Sequence, residues 1–212
     1  MAGTFRASRL NRDVGEPALA DDVLIARIAE GDREAFAELY RRHHSDTCRF
    51  AAHMCGSNVA AEDIVHEAFV AVIDSASRYR PGRTTVKLWL LGIARNYVRR
   101  ARAVRPTLSL QDQVGAAELA VEVDPAGDLD HRRHLEALRR AVLALPVRYR
   151  EAVVLCDLHE LSYVDAAATL GCAIGTVRSR LHRGRALLAR ELCDRPAEGS
   201  CHLPPVRISR TT

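Results

Sequence analysis

Apolar residues recur at three- and four-residue spacing along most of this chain, a period that predicts helices. Val23, Leu24, Ile25 and Ile28 mark a first helix, with Asp21 or Asp22 placed to cap it and Gly31 to stop it. Asp32 opens a longer helix through Phe36, Leu39, Tyr40, Cys48, Phe50 and Ala51, ending near Gly56. Ile64, Val65, Ala68, Phe69, Val72 and Ile73 then form one stripe, opposite Glu62, Asp63, His66 and Glu67. Pro81-Gly82 forces a loop. A fourth helix turns Trp89, Leu90, Ile93, Ala94, Tyr97 and Val98 inward and runs out as RRARAVR before Pro106.

Residues 106–130 lack sustained periodicity and contain Pro106, Gly115, Pro125 and Gly127, so they read as a linker. Beyond them Leu135, Leu138, Val142 and Leu145 define a helix that Pro146 ends, and another runs roughly from Val147 to Asp157. The predicted division is a loose extension over 1–20, a first domain over 21–105, a linker over 106–130, a second domain over 131–193 and a loose tail over 194–212. The fold class is all-α, two helical domains joined by a flexible acidic linker.

The last periodic stretch, LSYVDAAATLGCAIGTVRSRLHRGRALL, reads as two helices and a tight turn. Ser162 is placed to cap the first, which carries Val164, Ala167, Ala168 and Leu170, and Gly171 stands where a left-handed stop is wanted. Gly175-Thr176 opens the second, with Val177, Leu181, Leu187 and Leu188 on its buried side and Arg178, Arg180, Arg183 and Arg185 on other faces. That is a helix-turn-helix. Its second helix fits a major groove, where arginines reach guanine edges or phosphates. From Ala166 to Arg190 there are five arginines and no acid, which favours DNA over an ordinary hairpin with a solvated basic face.

Composition sharpens this picture in three places. At 48% hydrophobic but only 5% aromatic, with few β-branched runs, the chain can bury a core built of helices. Its net charge of +4 is modest but blocked: nine bases and no acid from Ser75 to Gln111, six acids and no base from Pro106 to Asp130. No apolar run approaches membrane-spanning length and no secretory signal opens the chain, so a cytoplasmic protein is expected, with its six cysteines as thiols. Cys48 and Cys55, seven apart on one helix, would lie ~10.5 Å apart along its axis, too far for a disulfide.

No arrangement for catalysis emerges. His44 and Cys48 have the spacing of two metal ligands, but a zinc site wants four, or three and a water. No Gly-rich phosphate loop follows a strand, and no acid pair or Ser-His-Asp set is suggested. Neither an enzyme nor a cofactor is expected.

The basic helix WLLGIARNYVRR upstream of a C-terminal helix-turn-helix resembles the extracytoplasmic-function class of bacterial RNA polymerase sigma factors, in the sigma-70 family. The N-terminal resemblance runs through AEGDREAFAELYRRH, AEDIVHEAFV and WLLGIARN, the C-terminal one through LPVRYREAVVL and the hairpin. It implies two helical domains that bind core RNA polymerase, read the minus-ten and minus-thirty-five promoter elements, and are often held by an anti-sigma protein. For the minus-ten element it implies Asn96, whose amide suits an adenine edge, the loop residues Tyr79 and Arg80, with Tyr79 stacking on a base, and Arg95, Arg99, Arg100 and Arg102 on phosphates. The inserted proline in YRPG departs from the family's aromatic-basic-glycine loop. For the minus-thirty-five element it implies Arg178, Ser179, His182 and Arg183 on bases and Thr176 on phosphate. Asp63, His66 and Glu67 would face the polymerase, with His66 where the family usually has glutamine. Trp89 reads as core, and Cys48 and Cys55 as core thiols rather than oxidant sensors.

The linker fits the same picture. As a flexible coil its 25 residues span ~28 Å, less than a ~34 Å helical turn of DNA, and fully extended they reach ~85 Å. Its acids repel free DNA, and the resemblance implies that it threads polymerase channels built for nucleic acid. The rival reading is a dimeric helix-turn-helix regulator that binds a palindromic operator unaided.

Overall fold

The structure, a computed structural model, describes residues 19–104 and 129–194. Among the described residues the regular elements are helical: α1 (Asp21–Ala29), α2 (Arg33–Cys55), α3 (Asn58–Ser75), a 3-10 turn (Ala76–Arg78), α4 (Val86–Val104), α5 (Leu129–Ala144), α6 (Val147–Val153), α7 (Tyr163–Leu170) and α8 (Ile174–Asp194). A π-helical turn, Val154–Leu158, continues α6. Most of the predicted extension, of the acidic linker and of the tail lies outside the described residues, and α5 begins two residues before the predicted second domain.

Local chemistry sets most boundaries. The Asp32 carboxylate accepts from the backbone N–H groups of Glu34 and Ala35 at 2.8 and 3.1 Å, and so caps α2. Gly56 ends that helix at φ 80°, a left-handed conformation that glycine adopts without strain. Ser57 caps α3 through the N–H of Ala60. Helix α1 differs from expectation: its N-cap is Ala20, and Asp21 instead accepts from Arg42 Nη1 at 2.9 Å and lies 2.6 Å from His43 Nε2. A contact to α2 has taken the carboxylate that local pattern assigned to capping.

Helices α1 to α4 wrap a core of Leu24, Ile25, Leu39, Phe50, Val65, Phe69, Leu90 and Val98. Ile73 is the exception on the α3 stripe, being half exposed. Helices α5 to α8 pack mainly through Val142, Leu145, Val153, Val154, Leu155, Val177 and Leu181. Leu135 and Leu187, both expected inward, are exposed. The two halves do not stand apart. One apolar cluster runs from Phe50 and Leu90 through to Leu155, Ala167 and Val177, and α7 packs on α4 while α5 packs on α2.

Candidate nucleic-acid interface

The recognition hairpin is built by short-range contacts. Ser162 accepts from the Asp165 N–H at 3.1 Å and donates to its carboxylate at 2.7 Å. Gly171 ends α7 at φ 63°, and the Cys172 N–H closes the turn onto the Ala167 carbonyl at 3.1 Å. Val177 and Leu181 then bury one side of α8. Their burial leaves Arg178, Ser179, His182 and Arg183 exposed on the adjoining face, with Thr176 half-buried at its start. Those positions fall at i, i+1, i+4 and i+5, which is one helical face. The Arg178 guanidinium lies 5.7 Å above the Tyr163 ring. Arg185 is turned away, held at 2.6 and 3.1 Å by both carboxylate oxygens of Asp157.

Gly184 fixes the depth of this helix. A Cβ there would stand 2.7 Å from Val153 Cγ2 and 3.4 Å from the Tyr149 carbonyl oxygen. A side chain at position 184 would therefore press on the Val153 methyl, while the Tyr149 carbonyl stands at ordinary contact distance.

On the first domain, α4 exposes Asn96, Arg99 and Arg100 at i, i+3 and i+4. Arg100 lies 5.4 Å from the Tyr97 ring centroid. Arg80 donates from Nη1 to the carbonyls of Ser77 and Tyr79 and stays exposed. Arg102 donates to the Met54 carbonyl at 3.3 Å and braces α2. On α3 Asp63, His66 and Glu67 all face out, and Val59 and Val70 on the same helix are exposed beside them.

Two residues expected on DNA are engaged within the chain. Tyr79 is 6% exposed, packs on Trp89 at 5.1 Å, and shares its hydroxyl with Asp22 and the Thr84 carbonyl, both at 2.7 Å. Burial, then the Asp22 carboxylate, pushes the phenol pKa well above its ordinary value. The ring is a buttress under the loop, not an open stacking face. Arg95 is 9% exposed and forms a fork with Glu151 of α6, with contacts of 2.7 and 3.2 Å. In this arrangement the guanidinium faces a carboxylate rather than solvent.

Glu151 and its neighbour Arg150 do not stand out as functional residues in the pattern, although two adjacent charges inside the apolar run after Pro146 are a signal. Arg150 reaches across the domain boundary to the Met54 carbonyl at 2.7 Å and donates to the carbonyls of Leu143 and Leu145. Burial lowers its pKa to about 10. Nearby, His53 of α2 and His159 after the π turn lie 6.3 Å apart, ring to ring. Burial, then Arg139 and Arg49 for His53 and Arg49 for His159, lowers both to about 4. Asn96 and Trp89 line the cleft where α4 meets Ala168 and Thr169 of α7.

His44 stacks on Tyr40 at 4.7 Å, and no group of three or more potential metal ligands occurs among the described residues. Cys48, Cys55 and Cys156 carry free thiols whose pKa burial raises, for Cys55 to about 11. None of these three has the electropositive, open setting of a reactive thiolate. No described helix is long and apolar enough to cross a membrane.

A helix-turn-helix with a basic outer face, packed on a second helical domain with its own row of arginines, defines a two-part helical DNA-binding protein. Sequence comparison agrees on both parts: residues 39–105 match Sigma-70 region 2 and residues 135–188 match Sigma-70 region 4. The chain is 36% identical over 182 residues to the ECF RNA polymerase sigma factor SigM of Mycobacterium tuberculosis, covering 84% of this chain and 87% of that one. It is 37% identical to SigE of Mycolicibacterium smegmatis, over 80% of this chain and 67% of the relative, and 31% identical to SigW of Bacillus subtilis, over 80% and 95%. Among solved structures, CnrH in complex with the cytosolic domain of CnrY matches with a TM-score of 0.63 and 25% identity, over 82% of this chain and 97% of that one. The sigma factor RpoE in complex with the anti-sigma factor NepR, from Bartonella quintana, matches with a TM-score of 0.58 and 29% identity, over 76% and 98%. The chain belongs to the extracytoplasmic-function group of the sigma-70 family, and is an alternative-type sigma factor that directs promoter-specific transcription.

Proposed function

We propose that this chain docks on core RNA polymerase through the Asp63, His66 and Glu67 face of α3. It reads the minus-ten element with Asn96, supported by Arg80, Arg99 and Arg100. It reads the minus-thirty-five element with Arg178, Ser179, His182 and Arg183, and Thr176 holds a phosphate at the start of α8. It carries no catalytic chemistry and no cofactor, and it acts in the cytoplasm. The observation that carries the reading is the face of α8, where four exposed polar or cationic side chains stand beside the buried Val177 and Leu181.

An anti-sigma protein is the second expected partner. It is supported by the likeness to RpoE, which was solved bound to the anti-sigma factor NepR. The buried Arg95–Glu151 pair ties α4 to α6 in the free chain, and Asn96 beside it lines the cleft against α7. A dimeric operator-binding regulator lacks any need for the Asn96 row or the α3 face.

Purified chain and core polymerase, assayed by promoter-directed transcription, test the assignment. The chain should confer start-site preference, and Asn96→Ala and Arg178→Ala should each lose most of it. Full activity in both variants would defeat the map.

A further inference from the structure

A tyrosine outside the recognition helix lies against one of the arginines assigned to bases. Tyr163, the first residue of α7, stands below Arg178, with 5.7 Å from guanidinium carbon to ring centroid. Both side chains are exposed, so the stacked pair lies at the surface of the hairpin. By contrast, Arg185, turned away from this face, is bound to Asp157.

A free arginine samples many rotamers, and a fork on a guanine edge requires one of them. A side chain already resting on an aromatic face loses less freedom when it engages. We propose that Tyr163 is a positioning residue that aims Arg178 at its base edge, and so sets promoter selectivity without touching DNA. The inference rests on the minus-thirty-five assignment above and adds a residue from another helix to it.

Tyr163 should act through Arg178. The test uses holoenzyme, made from the full chain and core polymerase, competing for promoter duplexes randomised across the minus-thirty-five element. Arg178→Ala should flatten preference at one base position. Tyr163→Leu should weaken preference at that same position by about two- to fivefold, the range for an exposed cation–π contact. Tyr163→Phe should restore it, because the ring suffices. Tyr163→Leu should add nothing in the Arg178→Ala background. Loss of binding spread evenly over all sequences would mean that the Tyr163 hydroxyl contacts phosphate, and would overturn the proposal. So would additive losses in the double variant. If Arg178→Ala leaves base preference intact, the minus-thirty-five map fails and the proposal with it. If it flattens one position and Tyr163→Leu does not weaken that position, the proposal alone fails.

Discussion

Replacing Gly184 with alanine puts one methyl group where α8 crosses α6. The new Cβ would stand 2.7 Å from Val153 Cγ2, whereas carbon atoms rest about 3.5–4.0 Å apart. One of the two must retreat by roughly 1 Å. Val153 is 2% exposed and β-branched, so its rotamer is stiff, and the Tyr149 carbonyl at 3.4 Å closes the other side. Overpacking of this kind costs about 1–3 kcal/mol. Alanine is also the better helix former by about 0.8–1 kcal/mol. The net expectation is a destabilisation of about 0–2 kcal/mol, which by itself is a weak test. The coupling is sharper. Val153→Ala alone opens a cavity, but together with Gly184→Ala the inserted methyl occupies part of it. Urea unfolding of both single variants and the double should give a total at least about 1 kcal/mol smaller than the sum. Strict additivity, or a Gly184→Ala variant more stable than the parent by the full propensity gain, would refute the claim that this glycine sets the helix spacing.

Further predictions concern the domain boundary and the thiols. Glu151→Ala leaves Arg95 buried without its carboxylate, a change that costs about 3–5 kcal/mol when a buried pair loses one member. Because the halves can part and rehydrate Arg95, small-angle scattering should show a more extended chain, and Arg95→Met with Glu151→Leu should show less extension than Glu151→Ala. His53 and His159 are held near pKa 4 by burial, below their unfolded value near 6.5, so the unfolded chain binds the extra protons. Stability should be fully present above pH 6.5 and fall as pH drops toward 4, by up to about 1.4 kcal/mol per pH unit for each histidine. Urea midpoints across that range check the slope, and His53→Leu with His159→Leu should flatten it. At neutral pH alkylation of the native chain should strike the exposed Cys193 before Cys48, Cys55 or Cys156, which mass spectrometry of digested protein reads directly.

What the sequence made legible was what short-range chemistry decides. Asp32, Ser162, Gly56 and Gly171 act within four residues of themselves, and each does what its type and position require. The exposed face of α8 followed from the spacing of Val177 and Leu181 alone. Departures from the local pattern came where a distant partner won. Asp21 is claimed by α2, 21 and 22 residues away, and Tyr79 by Asp22, 57 residues away. Arg95 meets Glu151 across 56 residues, a pairing that helical period cannot reveal. The apolar stripes were also overextended, because Ile73, Leu135 and Leu187 share the period of core positions without facing one.

The π turn at Val154–Leu158 carries one more residue per loop than an α-helix allows. Each residue in a helix advances the chain by about 100°. Deleting a single residue there would restore ordinary winding and swing everything downstream, α7 and α8 included, around the α6 axis by about that angle. The pointing direction of the DNA-reading surface is therefore indexed to a single surplus residue, and length at this point should be guarded more strictly than identity.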